Sequence, residues 1–246
     1  ILCFSLIGPN IYSQDGIIEY YALLYSSGDG EPIKFGHTDT EIASNDVDLI
    51  RNSLVKTSNW QNENIFQLKN VELTEQSFIE KLQEIAGLMD SDDIFFLYYS
   101  GHGGRYTDVQ ISYLALTNDD EIWDQNLSDY LNDYFPEGST KLVYLNACYS
   151  GGFVDQFESE NLNNIVLLAT SDANRSTATF HWSLFSPKAY TNGGFQLNKC
   201  IEGKANSDND NIVTFEEISN FIKTVIPSGS LGSSDPVVFP VDYEEN

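Results

Sequence analysis

The sequence predicts an α/β protein, a three-layer α/β/α sandwich built on a mostly parallel central sheet. Two observations lead to that class. Short apolar runs, YYALLY at residues 20–25, IFFLYY at residues 94–99 and LVYL at residues 142–145, have strand length and are followed by turn residues. Between the first two, apolar residues recur at intervals of three and four, the spacing of one helix face. Strands that alternate with helices pair in parallel through crossovers, and the helices then cover both faces of the sheet. At 246 residues the chain has room for one large domain, or one domain with a small appendage. Its 41% hydrophobic content, with 13% aromatic, supplies a substantial core.

Residues 20–25 form the first strand, and SSGDGEPIKFG after them is a loop of turn residues. Ser44 is placed to cap a helix whose face carries Val47, Ile50 and Leu54. A short strand at residues 64–68 follows, and Thr74 then caps a second helix with Phe78, Leu82, Ile85 and Met89 aligned. The strand at residues 94–99 runs into SGHGG, which sets His102 at a strand end. Beyond it, residues 111–116 make one arm of a small hairpin, and a helix rich in Asp and Asn aligns Leu127, Leu131 and Tyr134. Residues 141–153, KLVYLNACYSGGF, pass from a strand into a tight turn, so Cys148 sits where the backbone leaves the sheet. A further strand occupies residues 165–169. Residues 170–194 are long, polar and aperiodic, a candidate functional loop by length alone.

The charge balance is lopsided, with 37 acidic and 12 basic side chains, a formal charge of -25 and a pI near 4.1. Phosphate binding needs a basic surface, so nucleic acid is excluded as a partner, and the acidity reads as a solvated surface. After the first residues no run approaches the roughly 18 apolar residues of a membrane helix, so no membrane insertion is expected. Three cysteines allow at most one bridge, most simply between Cys3 and Cys200, which leaves Cys148 outside it. Residues 1–16 begin with the apolar ILCFSLI and turn polar at GPNIYSQ. They read either as the remnant of a signal peptide, which implies a secreted or cell-surface protein, or as a first strand on the sheet.

In open α/β sheets ligands bind beyond the carboxyl ends of the strands, and two such ends here carry an imidazole and a thiol. A cysteine attacks as its thiolate. With an ordinary pKa of about 8.5, it needs an imidazole or a helix N-terminus to favour the charged form or to take the proton. His102 suits that role and can later protonate a leaving amine. Gly103 can bring its bare backbone N–H close to a substrate and, with the Cys148 N–H, form an oxyanion hole. His37, in the loop after the first strand, and His181, beside Trp182, read as surface or packing histidines.

A strand followed by SGHG, then a strand followed by xACxSG, resembles the caspase-like cysteine peptidases, and NACYSGGF lies nearer their legumain branch than the caspases proper. From His102 to Cys148 is 46 positions, close to the roughly 50 that separate the two motifs in caspases. The resemblance covers about residues 20–203. It implies a caspase-like fold for residues 17–246 and the same roles for Cys148, His102 and Gly103. It further implies a cysteine endopeptidase that cleaves protein or peptide substrates through a thioester, with no cofactor in the chemistry. In the resembled peptidases the residue two before the nucleophile helps form the primary pocket, and it is acidic in legumains and in the metacaspases that cleave after basic residues. Here it is Asn146, a neutral amide that cannot pair with a cation as a carboxylate would. The segment TSDANRSTATFHW, residues 170–182, is similar to the legumain segment flanking that pocket, which makes Arg175 and Ser176 substrate-binding candidates. Two other readings stand beside hydrolysis: a catalytically silent module of this fold that binds peptides, and a ligase in which an amine resolves the thioester.

Residues 206–217, NSDNDNIVTFEE, fit a calcium-loop template. Oxygen donors fall at Asn206, Asp208 and Asp210, then at the Ile212 carbonyl, Thr214 and Glu217, the spacing a hard cation with six to eight oxygen ligands requires. Asn replaces the usual Asp at the first position and Gly at the sixth, Asn211. The loop is a candidate for structural calcium or, without metal, an acidic cap for a helix carrying Phe215, Ile218, Ile222 and Val225.

Overall fold

The computed structural model describes residues 16–33, 36–69, 73–117, 119–160, 162–176, 180–181, 188–226 and 236–239, with the backbone alone for Phe180 and His181. Cys3 and nearly all of the leader-or-strand segment lie outside them. Six strands form the central sheet in the order β11-β8-β7-β3-β1-β2. These are β1 (Tyr20–Ser26), β2 (Ile65–Lys69), β3 (Ile94–Ser100), β7 (Thr140–Asn146), β8 (Ile165–Ala169) and β11 (Val237–Phe239). Every neighbouring pair is parallel except β8 with β11. The mostly parallel α/β sandwich expected from the alternating pattern is what the chain forms.

Side chains alternate across a strand, so β3 divides its residues between two cores. Phe95, Leu97 and Tyr99 join the cluster that contains Phe78 and Leu82 of α2 (Glu75–Ala86), Leu127 and Leu131 of α3 (Asp124–Asp133), and Phe153 and Phe157 of α4 (Gly151–Glu160). Phe96 and Tyr98 join the opposite cluster. That one contains Val47 and Ile50 of α1 (Asp39–Leu54), Leu197 of α5 (Asn192–Lys199) and Ile222 of α6 (Phe215–Val225). The sheet is thus covered on both faces, with three α-helices to each among the described residues.

Of three local expectations, one changes and two gain detail. α1 starts at Asp39, with Thr38 as its cap, so Ser44 lies inside the helix and does not begin it. Thr38 accepts a hydrogen bond from the Glu41 N–H, three residues on, and this local cap extends the helix back beyond the first apolar residue of its face. The arm at residues 111–116 is the middle strand of a small antiparallel sheet, β4 (Gly103–Tyr106), β5 (Ile111–Ala115) and β6 (Glu121–Trp123). The long segment at residues 170–194 contains an antiparallel pair of two-residue strands, β9 (Phe180–His181) with β10 (Tyr190–Thr191), and ends in the first turn of α5. By contrast Thr74 caps α2 as expected, with Ser77 closing a capping box.

Leu97 lies on the central strand and is 1% exposed. Leu97→Ala should lower the unfolding free energy by about 3 kcal/mol, through lost burial and the cavity left behind, as read by urea denaturation.

Candidate active site

β3 and β7 are adjacent, parallel and in register, with Tyr99 opposite Leu145 and Ser100 opposite Asn146. The Gly101 N–H donates to the Asn146 carbonyl at 3.3 Å, which carries the pairing one residue past the end of β3. The two strands therefore end level, and His102 and Cys148 each stand two residues beyond the last pair. Gly103 closes the gap. A Cβ on Gly103 would lie 2.5 Å from the Cys148 carbonyl oxygen, so only glycine permits this approach of the two turns. The Ala115 N–H donates to the His102 carbonyl at 3.0 Å. Hydrogen-bonded and non-bonded pairs alternate in an antiparallel ladder, so Gly103, the next residue, turns its N–H away from β5.

Cys148 is a half-buried thiol. Tyr149 after it has the left-handed φ of 57°, and its N–H donates to the Arg175 carbonyl at 2.8 Å, which fixes the turn into α4. Arg175 thereby lies next to the turn, with its Nε 3.1 Å from Asp172 Oδ2, and Ser176 beside it is exposed. Arg175 also lines a cavity of about 350 Å³ between the 172–175 segment, the start of α4 and Val237.

The imidazole of His102 is 54% exposed, and its Nε2 lies 2.7 Å from Asp39 Oδ2 at the first turn of α1. Asp29 Oδ1, from the loop after β1, is 3.8 Å from the same nitrogen. Asp39 accepts backbone hydrogen bonds from Asp29 at 3.2 Å, Gly30 at 3.0 Å and Thr40 at 2.6 Å. Burial pushes its carboxyl up, but hydrogen bonds with Asp29, His102 and Thr40 outweigh that and hold it at about 2. Asp39 is absent from the sequence reading. Thr38 followed three residues later by Glu41 is the local signal for a helix start that would have placed it.

Asn146 points to the α1 face and is 5% exposed. Its Nδ2 donates to Thr191 Oγ1 at 2.6 Å and to Ser100 Oγ at 3.1 Å, and Thr170 Oγ1 donates to its Oδ1 at 3.4 Å. Behind it Asp46, on α1 and wholly buried, accepts from Ser100 Oγ at 2.8 Å and from the Thr191 N–H at 3.0 Å. A Cβ on Gly193 or Gly194 would lie 2.2 Å from Asn146 Oδ1 or 2.5 Å from the Asp46 carboxyl carbon, so both glycines are needed for α5 to seat against this floor. Sequence reasoning missed Asp46, which reads as one more polar residue of an amphipathic helix.

The remaining candidates lie apart from this geometry. His37 pairs with Glu41 at 3.0 Å. His181 is in β9, its side chain outside the described residues. Cys200 is a fully buried thiol whose pKa burial pushes up to about 12, and Cys3, its proposed bridge partner, is not among the described residues. In the 206–217 loop Asn206, Asp208 and Asp210 accept hydrogen bonds from the backbone N–H groups of Asn209, Asp210 and Ile212. Glu217 accepts from the N–H groups of Ser207 and Thr214 and completes the capping box of α6. As folded, these oxygens turn to the loop's own backbone. Among the described residues, the carboxylates and histidines close enough to share a cation are Asp29 with Asp39 and His102, and Asp90 with Asp92 and Asp93.

Burial pushes the Asp46 carboxyl up to about 7, against the pull of its hydrogen bonds to Thr191 and Ser100. A carboxyl raised on folding stabilises the protein fully below its unfolded pKa of about 3.9 and loses that contribution as pH rises through the folded value. Between pH 4 and 7 Asp46 should therefore make stability fall with rising pH, by at most about 1.4 kcal/mol per unit. Urea midpoints for wild type and Asp46→Asn across that range should show a shallower fall in the variant. Thr214→Ala should cost about 1 kcal/mol through loss of the α6 cap. An equal loss in calcium and in chelator identifies a cap alone, and a larger loss in calcium identifies a ligand.

The caspase domain of peptidase family C14 matches residues 32–223, a stretch that contains Asp39, Asp46, His102 and Cys148. No curated protein matches the chain. Its fold is similar to that of the protein GSU0716 from Geobacter sulfurreducens, with a TM-score of 0.63 and 17% identity over 90% of this chain and 92% of that one. The family match spans most of the chain, and the protein belongs to the caspase-domain family.

Proposed function

We propose that the chain is a cysteine endopeptidase in which Cys148 is the nucleophile and His102 the acid and base. The observation that carries this reading is the level ending of β3 and β7, which brings the His102–Gly103 turn against the backbone of Cys148. In the first step the Cys148 thiol proton passes to His102 as sulfur attacks the peptide carbonyl carbon. The tetrahedral oxyanion is met by the N–H groups of Gly103 and Cys148. The C–N bond then breaks as His102 returns the proton to the leaving amine, and a thioester remains. Water, deprotonated by the same imidazole, attacks the thioester and releases the acid and the thiol. No metal or cofactor enters these steps.

The floor beside the site supports a polar primary pocket. Asn146 and the buried carboxyl of Asp46 suit a substrate side chain that donates hydrogen bonds, Arg, Lys or Asn, whereas an acidic side chain there would face Asp46. Asparagine is also the preference that the likeness of NACYSGGF to legumains implies. The closed hydrogen-bond network around Asn146 favours a second reading, a silent member of the family whose pocket does not open.

A mixed peptide library digested by wild type and by Cys148→Ala, and read by mass spectrometry, separates these. The expected result is cleavage by wild type alone, with cuts after acidic residues at least about tenfold rarer than after Arg, Lys or Asn. Products of joined peptides would indicate a ligase. Two inert proteins, before and after limited proteolysis, would leave the silent reading standing.

A further inference from the structure

The two sequence motifs point to Cys148 and His102 but not to the carboxylate that touches the imidazole. Asp39 Oδ2 lies 2.7 Å from His102 Nε2, and the contact links the start of α1 to the end of β3. Three features make this carboxylate a fixed anion. It accepts the N–H groups of Asp29, Gly30 and Thr40, it is 9% exposed, and it sits in the first turn of a 16-residue helix, where the dipole favours negative charge. An ionised carboxylate only accepts hydrogen bonds, so the ring nitrogen facing it must carry hydrogen. We infer that Asp39 is a positioning residue that holds His102 in the Nε2–H tautomer and leaves Nδ1 as the nitrogen that exchanges protons with Cys148 and the substrate.

This inference rests on the peptidase reading and adds the orientation that reading lacks. A rotating imidazole presents the wrong nitrogen or the wrong tautomer for part of the time, and a carboxylate at Nε2 prevents both. When Nδ1 takes the thiol proton, the positive ring faces Asp39, so the charge that forms on His102 during attack is stabilised where it appears. Asp29, at 3.8 Å and 67% exposed, is too far to hold the ring by a hydrogen bond and adds a solvent-screened charge. The His102 carbonyl is fixed separately by the Ala115 N–H and by the Tyr99 hydroxyl, 2.7 Å away. Backbone and ring of His102 are therefore positioned by different partners, and removing Asp39 frees the ring, along with the N–H groups of Asp29 and Gly30, while leaving the His102 carbonyl held.

The test pairs kinetics with a spectrum that does not depend on activity. In the intact protein, nitrogen-15 histidine spectra, with His102 assigned through His102→Gln, should show the neutral ring protonated on Nε2. Asp39→Asn should lose that preference and lower kcat by at least about a hundredfold with KM little changed. Thr38→Ala, which weakens the same helix start through its Glu41 contact without touching His102, should keep kcat within about threefold. A wild-type ring protonated on Nδ1 overturns the inference even if Asp39→Asn fails to fold. So does a folded Asp39→Asn enzyme with wild-type kcat, an outcome that leaves the peptidase reading intact. A protein that is inert in every form but shows the Nε2–H ring defeats the peptidase reading and leaves the Asp39 contact standing.

Discussion

The candidate site depends first on the register between β3 and β7. Seven residue pairs, from Ile94 with Thr140 to Ser100 with Asn146, fix where both strands end. A slip of one residue would turn every side chain of one strand to the opposite face. Tyr144 would leave the core it shares with Val47 and Ile50, and Asn146 would leave Thr191 and Ser100. The penalty for misregister is therefore the loss of two packed cores. The candidate site inherits that protection although it contributes little to it.

A division of labour follows from the pleat. Odd-numbered residues of β3 and β7 build the apolar core under α2, α3 and α4. Even-numbered residues face α1, α5 and α6, where the apolar layer of Tyr98 and Tyr144 ends in a polar one at Ser100 and Asn146. Polar groups so deep are tolerable because they satisfy one another. α1 serves the site twice, with Asp39 at its first turn against His102 and Asp46 two turns on beneath Asn146.

Much of this was legible from the residues alone. Buried parallel strands advertise themselves as apolar runs, and YYALLY, IFFLYY and LVYL gave the spine of the sheet. Thr74 marked the start of α2 because its local chemistry and the apolar periodicity agree. α1 is where they disagree. The face read from its sequence begins at Val47, which points to a start at Ser44, whereas the side-chain cap at Thr38 carries the helix back over Asp39. Losing those residues meant losing the partner of His102. Strand order was illegible for a different reason: a sequence shows that strands are parallel, but whether β7 follows β3 across the sheet is decided by packing between distant segments. Asp46 stayed hidden because one buried polar residue on an amphipathic helix looks like any exposed one until its neighbours are known. The oxygen spacing at residues 206–217 serves equally for a cation and for the α6 capping box, and the shared requirement is why the pattern alone could not separate them.

Thr191 holds three positions at once. It ends β10, it caps α5 by accepting the Gly194 N–H at 2.9 Å, and its hydroxyl and N–H tie Asp46 and Asn146 together. One hydroxyl cannot serve the helix and yield its place to an incoming side chain with equal ease. In the proposed peptidase, filling the floor and fraying the first turn of α5 are thus linked equilibria, and by reciprocity whatever steadies that turn resists occupancy of the floor. For the proposed peptidase, the amide of Gly194, through its rate of hydrogen exchange, would be a remote gauge of substrate over Asn146.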